Sequence, residues 1–367
     1  MTSRLLSRLE SDIRGAPNAL TADCLRCERA AYLARLGDLD EAARELAALR
    51  ERYSSHRHTV ISAWIHLADG LISHYTDLAP QARDKLARAQ ALSAAAGLTP
   101  LQALSAAWLA HLEYLRMDAP AMARRAAEAI GLARADHHAA LARAKLVVAQ
   151  GYHEAGRYDL ARPWYEQVHR HATADGDDAT LSAMMWNTAS LWVAAWRQIE
   201  ACGPGPAVGA PPALLSAEST ANFDAMLGVR SLRSLQPILR AQVCTLLGRS
   251  DEALTLYDRH LAEALAQGMR PVEGILLADR AWCRLRAGRD VLARDDAQAS
   301  ASALARPGNW CDRAPGHSRL AQVCDALGDP AAAHSQRELA STAWAGHRKD
   351  QAKLVEALDA AFANVRF

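Results

Sequence analysis

The 367-residue sequence has few aromatic residues, which make up 5% of the chain, and only 3 of them are Phe. Glycine and proline are modest in number, at 20 and 14, and β-branched residues are sparse. Strands draw on β-branched and aromatic residues, so this composition does not favour a sheet. Alanine makes up roughly a fifth of the chain, and with Leu, Arg, Glu and Gln it belongs to the strong helix formers. The composition therefore predicts an all-α fold.

The sequence also lacks an excess of charge of one sign. Lys and Arg together number 42 and Asp and Glu 41, which leaves a net charge of +1. Non-specific binding to DNA or RNA needs a basic surface, and so does attraction to a polyanion or an acidic membrane surface. We therefore expect no nucleic-acid partner and no membrane partner.

Dense cysteine spacing and a long uninterrupted apolar run are missing as well. The 7 cysteines are scattered and odd in number, which favours a reducing compartment over a secreted disulfide framework. Arg4 and Arg8 lie where a signal peptide needs its apolar core. Glycine and proline or polar residues interrupt the uncharged stretches 89–111 and 179–196. These features predict a cytoplasmic protein.

What the sequence does contain is an internal repeat. Small residues recur at intervals of 40, 40, 39, 40, 52, 40 and 40 residues: Ala30, Gly70, Ala110, Ala149, Ala189, Ala241, Ala281 and Ala321. In five of the eight repeats a glycine follows the small residue by seven positions and an alanine follows that glycine by five, as in Gly156 and Ala161. Glycine ends a helix, and small residues let two helices pack closely. The repeat predicts about eight helix pairs.

This spacing of small residue, turn glycine and alanine resembles the tetratricopeptide repeat (TPR) family over about residues 19–345. Tyr165 and Tyr257 match the family's aromatic residue four positions after that alanine. The period of about 40 residues, longer than the usual 34, is similar to that of kinesin light chains and of bacterial regulators and sensors. The resemblance implies a single right-handed α-solenoid, a TPR-like superhelix, over residues 1–367.

The expected domain has a cap at each end. An N-terminal cap helix is expected in residues 1–18, eight repeats in 19–330, and a C-terminal capping helix in 331–367. The 52-residue interval contains a Gly/Pro-rich insertion at 202–212. The insertion is either a passive surface loop or a lid over the groove, and the sequence does not decide between them.

No enzymatic or cofactor-binding motif is found in the sequence, so we expect neither catalysis nor a cofactor. Cys24 and Cys27 form a CxxC pair, but no second pair or histidine pair accompanies them at ligand spacing. Three histidine pairs fall at expected loops or helix ends, and we expect no metal site there: His56 with His58, His137 with His138, and His169 with His171.

In the TPR family the first helix of each pair lines a concave groove. The groove positions lie six and three residues before, and one, four and five residues after, the small residue. Carried over to this chain, they give the candidate groove residues Trp64, His74, Tyr75, His111, Tyr114, Arg143, Gln150, His153, Trp186 and Trp282, with Ser190 and Gln242 beside them. Amphipathic rings suit recognition. The three tryptophans could equally be core residues between repeats.

The resemblance implies a non-enzymatic module that binds a partner protein, a peptide or a small anionic effector in this groove. We expect repeats two to five to hold its centre, with histidines that titrate between about pH 5.5 and 7.5. The alternative is a structural scaffold for assembly that acts through the convex face or the C-terminal helix. Groove variants separate the two hypotheses, because a scaffold should tolerate them.

Overall fold

The computed structural model describes residues 3–55, 58–77, 81–202 and 235–365. All regular structure in these ranges is helical, which confirms the predicted all-α fold. No described helix is long and apolar enough to cross a membrane. The insertion beyond Cys202 and the histidine at position 56 lie outside the described residues, so both predictions made for them stay open.

Short turns separate most of the consecutive helices. In chain order they are α1 (Arg4–Arg14), α2 (Ala19–Leu36), α3 (Leu39–Arg52), α4 (Thr59–Asp77), α5 (Gln81–Ala95), α6 (Thr99–Leu115), α7 (Ala119–Leu132), α8 (His138–Glu154), α9 (Tyr158–Asp175), α10 (Asp178–Cys202), α11 (Leu235–Leu246), α12 (Ser250–Ala264), α13 (Glu273–Arg286), α14 (Asp290–Leu304), α15 (Trp310–Ala326) and α16 (Pro330–Phe362). A π-helical turn at Leu265–Met269 and a 3₁₀ turn at Arg270–Val272 join α12 to α13.

These helices follow the repeat. The first helices of repeats one to eight are α2, α4, α6, α8, α10, α11, α13 and α15, and each except α10 is followed by its second helix within the described residues. The second helix of repeat five would fall in 203–234, which the structure does not describe. α1 lies within the expected N-terminal cap, and α16 begins one residue before the expected C-terminal cap.

The described residues form two compact units. The first unit contains the residues up to Met184 and those from Lys353 onward, and the second contains the residues from Met185 to Ala352. The first unit therefore holds repeats one to four with the start of α10 and the end of α16. The second holds the rest of repeat five and repeats six to eight.

The small residue of every repeat is buried. Its exposed fraction is 3% at Ala321 and 0% at each of the other six alanines. Gly70 is also buried, and a Cβ atom there would lie 2.8 Å from Cγ of Leu86 on the paired helix. Two helix backbones approach closely at this position, which leaves no room for a larger side chain.

The five turn glycines of the repeat all adopt the left-handed conformation. Gly37, Gly156, Gly248, Gly288 and Gly328 have φ between 70° and 92°. Each ends a first helix, which a glycine in this conformation does without the steric cost of a Cβ atom. In repeat three Met117 adopts the same conformation, with a φ of 58°.

The first unit is closed at both ends. At the N-terminal side, Leu5 of α1 donates its backbone N–H to the Gly176 carbonyl over 3.3 Å, and Arg8 pairs with Asp175 at 2.7 Å. Asp175 ends α9, and Gly176 lies in the turn that joins α9 to α10. The N-terminal cap therefore contacts the junction of repeats four and five, and Arg35 of repeat one pairs with Asp177 in the same turn.

At the C-terminal side, the end of α16 packs into the core of the first unit. Leu354, Leu358 and Phe362 are at most 8% exposed. The Phe362 ring contacts the Trp164 ring with centroids 5.1 Å apart. This apolar face of the capping helix is therefore covered by the chain itself.

Replacing Ala149 or Ala281 with Leu should lower the free energy of unfolding by roughly 1–3 kcal/mol, because neither site has space for three more carbons. The matched control is Ala47→Leu on the exposed face of α3, which should stay within about 0.5 kcal/mol of wild type. Urea denaturation measures all three variants, and equal effects at buried and exposed sites would contradict the close packing.

Two glycine substitutions should have opposite signs. Gly156 has a φ of 74°, and no neighbouring atom lies within 4 Å of the place that a Cβ atom would occupy, so Gly156→Ala should cost roughly 1 kcal/mol of conformational strain. Gly131 is helical and equally open, so Gly131→Ala should stabilise by about 0.5 kcal/mol. Thermal unfolding of both variants tests this, and a stabilising Gly156→Ala would contradict the role of that turn.

Candidate binding site

Four of the eight predicted groove residues of the first unit surround one tryptophan, Trp108 of α6, which is 2% exposed. The rings of His74, Tyr75 and His111 lie with centroids 6.2, 6.2 and 5.8 Å from it. Two guanidinium groups also face the indole, and we call the whole set the Trp108 cluster: Arg35, His74, Tyr75, Trp108, His111 and Arg143. Its members come from α2, α4, α6 and α8, the first helices of four consecutive repeats.

Arg35 of α2 is the paired cation of this cluster. Its Nη2 donates to both carboxylate oxygens of Asp177, over 2.8 and 2.9 Å, and to the Thr180 hydroxyl over 2.7 Å. Burial alone would raise the pKa of Asp177, but the Arg35 charge and the hydrogen bonds from Thr180 hold it below its usual range. Burial opposes the charge on Arg35, and Asp177 outweighs it, so that the pKa of Arg35 is raised.

Arg143 of α8 forms no ion pair with a described carboxylate, and the Tyr75 phenol is its hydrogen-bond partner. It is 3% exposed, and its Cζ lies 3.9 Å from the centroid of the Trp108 ring. Within the described part of the chain, its Nε and Nη2 have no hydrogen-bond partner. Burial lowers the pKa of Arg143 to about 10, although the Tyr75 phenol beside it favours the charged form.

The buried histidines are uncharged near neutral pH. Burial, followed by the charge of Arg143, lowers the pKa of His74 to about 4 and that of His111 well below its usual range. Burial alone lowers the pKa of His153 to about 4. The expectation that these histidines titrate between about pH 5.5 and 7.5 is therefore wrong, because a cation among apolar and cationic neighbours is disfavoured.

The other predicted residues of the first unit lie beside the cluster or in the core. Gln150 is 2% exposed, and Nδ1 of His153 lies 3.2 Å from the Tyr165 hydroxyl. The Tyr114 hydroxyl is 3.4 Å from Glu154. Trp64 packs, half-buried, against the core of repeats one to three. The structure therefore places most of the predicted groove residues of the first unit in its interior rather than on an open surface.

The second unit contains a cavity of about 150 Å³ that the first helices of repeats five to eight line. Its walls include Trp186, Ser190, Val193 and Arg197 of α10, Leu239 and Gln242 of α11, Ile275 of α13, and Asp312 and Pro315 of α15. Trp186, Ser190 and Gln242 are predicted groove residues. Val193, Ile275 and Pro315 also lie at groove positions of the family pattern, whereas Arg197, Leu239 and Asp312 do not.

The cavity wall is mainly apolar, with a few polar groups. The indole N–H of Trp186 is buried and has no hydrogen-bond partner among the described residues, and the same holds for Nε of Arg197. Burial raises the pKa of the Asp312 carboxyl to about 7, although the charge on Arg197 opposes the rise. An apolar pocket with a small number of placed polar groups is typical of small-molecule sites.

A buried ionic network adjoins the cavity. Nη2 of Arg197 donates to Asp279, and Nε of Arg319 lies 3.4 Å from the other oxygen of this carboxylate. The Tyr257 hydroxyl donates to Asp279 over 3.3 Å, and Arg319 pairs with Glu200 at 2.7 Å. The network therefore fixes the arginine that faces the cavity.

The predicted Trp282 lies beside this network rather than on the cavity wall. The Cζ of Arg319 lies 5.4 Å from its ring centroid, and the ring also packs against the core of repeats seven and eight. Trp282 thus contributes to the core, while Trp186 contributes to the cavity.

Neither cysteine nor histidine clusters form a metal centre in the part of the chain that is described: no group of three or more His, Cys, Asp or Glu side chains is placed to hold an ion. His138 and His171 do meet, with their Nδ1 atoms 3.0 Å apart. However, Nζ of Lys145 lies 2.9 Å from Nε2 of His171. The positive charge of this lysine next to the ring disfavours a metal ion there.

Comparison with known proteins adds no family to this description. No protein-family model matches the chain, and no curated protein matches it. The function must therefore be inferred from the residues and their geometry.

The pH dependence of stability tests the buried, neutral histidines. His74 takes up a proton at about pH 6.5 when unfolded and only near pH 4 when folded, so stability should fall as pH drops through this window. In His74→Gln the loss of unfolding free energy between pH 7 and pH 5 should be smaller by roughly 2 kcal/mol. His169→Gln, at an exposed position on α9, should keep the wild-type slope. An unchanged slope in His74→Gln would show that this histidine is solvated.

Proposed function

We propose that the chain is a non-enzymatic, cytoplasmic binding module: a right-handed, TPR-like α-solenoid whose first helices form a concave face that receives a ligand. The buried small residues and the left-handed turn glycines support the TPR-like repeat. The near-balanced net charge of +1 supports neither a nucleic-acid nor a membrane partner.

The observation that carries the proposal is the cavity of the second unit. Four consecutive first helices, α10, α11, α13 and α15, contribute to its wall. A ligand there would contact four repeats at once. Because four repeats form the wall, a small rotation between repeats changes the cavity, and binding can bias the curvature of the array.

The cavity fits a small effector better than a peptide. An apolar cavity of about 150 Å³ accommodates a molecule of the size of one aromatic ring. The indole N–H of Trp186 and Nε of Arg197 are both donors that lack an acceptor within the described chain. The ligand is thus a small, mainly apolar molecule with a hydrogen-bond acceptor, and regulation by such an effector is the role we assign.

The scaffold hypothesis has less support. Its C-terminal helix would have to offer a face to a partner, but Leu354, Leu358 and Phe362 are buried in the first unit. The exposed large apolar residues of the described chain are spread over several repeats, as Leu115 at 43% and Leu247 at 43% show, and among them only Val291 and Leu292 are adjacent. Scattered apolar residues of this kind are ordinary on a protein surface.

Two matched probes test the cavity: acetophenone, which carries a carbonyl acceptor, and ethylbenzene, which does not. Titration followed by tryptophan fluorescence or calorimetry should show binding of acetophenone that Trp186→Phe weakens about fivefold to tenfold, the value of one hydrogen bond. The weaker binding of ethylbenzene should not change in Trp186→Phe, because that ligand makes no such bond.

Ser190→Phe, which places a ring in the cavity, should weaken both probes at least tenfold. The control is Ser302→Phe on the exposed face of α14, which should bind as wild type does. If Ser190→Phe binds both probes normally, or if neither probe binds the wild-type chain, the cavity is not the ligand site. Capture of a protein partner that Ser190→Phe leaves intact would favour the scaffold instead.

A further inference from the structure

The two units differ in how many carboxylates neutralise the charge of their buried arginines. In the second unit, Arg197 and Arg319 face two carboxylates, Asp279 and Glu200. In the first unit, Arg35 and Arg143 both lie against Trp108, and the charge of Asp177, which pairs with Arg35, also favours that of Arg143.

The histidines of the Trp108 cluster do not change this balance, because burial keeps His74 and His111 uncharged at neutral pH. Arg35, Arg143 and Asp177 together therefore carry a net charge of +1. A buried charge without a partner is costly, and proteins normally pair it.

The guanidinium of Arg143 offers its unsatisfied hydrogen-bond donors along one edge. In the planar guanidinium, Nε–H and Nη2–H point to the same side and form the edge that binds carboxylates and phosphates through two parallel hydrogen bonds. In Arg143 both atoms of this edge are buried and without a partner in the described chain. In Arg35, Nε is also without a partner among the described residues, but Nη2 donates to Asp177 and Thr180, so the edge is already occupied.

The Tyr75 phenol accepts a hydrogen bond from Arg143, but it does not satisfy Nε or Nη2, which stay without a partner among the described residues. The Trp108 ring covers one face of the guanidinium at 3.9 Å, and the cation–π contact stabilises the charge without supplying an acceptor. His111 lies close enough for the Arg143 charge to lower its pKa. Its buried Nδ1 has no hydrogen-bond partner in the described residues, and in the Nδ1–H tautomer it is a further donor.

We propose that the Nε and Nη2 edge of Arg143, with the His111 imidazole beside it, is an oxyanion-binding site that takes the carboxylate or the phosphate group of a small molecule. Two parallel hydrogen bonds and the opposite charge would satisfy both atoms of the edge and neutralise the cluster. The site lies in the first unit, and its residues are separate from those of the cavity in the second, so either can fail without the other.

The test follows the thermal unfolding of the full chain in inorganic phosphate, sodium acetate and sodium chloride at equal ionic strength. A ligand that binds only the folded state raises Tm with the logarithm of its concentration. Phosphate, acetate or both should raise Tm in this way and chloride should not. A larger response to phosphate assigns the site to phosphate groups, and a larger response to acetate assigns it to carboxylates.

Arg143→Met should lose this dependence and, in oxyanion-free buffer, be at least as stable as wild type, because it removes an uncompensated buried charge. Arg143→Lys keeps the charge but lacks the planar edge, and its affinity should fall at least tenfold. The control is Arg124→Met at an exposed position on α7, which should respond as wild type does.

Three results would overturn the proposal. One is a wild-type Tm that does not change with either oxyanion. Another is a chloride response as large as that to phosphate and acetate, which would indicate a monatomic ion. The third is an Arg143→Lys variant that folds and binds with wild-type affinity. If Arg143→Met does not fold, the comparison of wild type, Arg143→Lys and Arg124→Met still decides the question.

Discussion

The close approach of paired helices at one small residue per repeat is the constraint on which the rest of this structure depends. Side chains as small as those of Ala149 or Ala281 allow the backbones to meet, and a buried interface of this kind fixes helix spacing. Because the contact recurs about every 40 residues, first helices of successive repeats pack on one another within each unit, as α2 does on α4 and α6 on α8. Residues that are far apart in sequence thereby come to share one face.

That shared face explains why polar chemistry is concentrated in two interiors. Arg35 and Asp177 are separated by 142 positions, and Arg197 and Asp279 by 82, yet each pair is buried and joined. In both units apolar and aromatic surroundings strengthen every electrostatic contact and penalise each polar atom that is left without a partner. A ligand would therefore gain the most binding free energy at buried groups that lack a full set of partners, above all at Arg143.

Much of the fold could be predicted from sequence, because helix composition, turn glycines and a fixed period are local signals. The residues of the candidate sites were harder to predict. Trp108, Asp279 and Arg319 all lie two residues before the small residue, a position that the family pattern of groove residues omits. Arg35 lies five residues after Ala30 and does fit the pattern, so the sequence contained a signal for it.

The burial of the predicted groove residues could not be predicted from the sequence, because it depends on contacts between residues that are far apart in the chain. α1 and the turn before α10 meet across most of the first unit, and no local pattern near Gly176 or Leu5 announces that contact. Burial, followed by the charge of Arg143, lowers the pKa values of His74 and His111 and removes the titration that was expected of them. Sequence identified which side chains share a face, and only the three-dimensional contacts showed which of them water reaches.

The central claim is that the first helices of consecutive repeats build an interior that receives a ligand. A crystal structure of the full chain soaked with acetophenone tests it most directly. We predict electron density for the molecule between α10, α11, α13 and α15, with its carbonyl oxygen within hydrogen-bond distance of Nε1 of Trp186. An empty cavity, with the molecule bound instead on the outer face formed by the second helices, would contradict the claim.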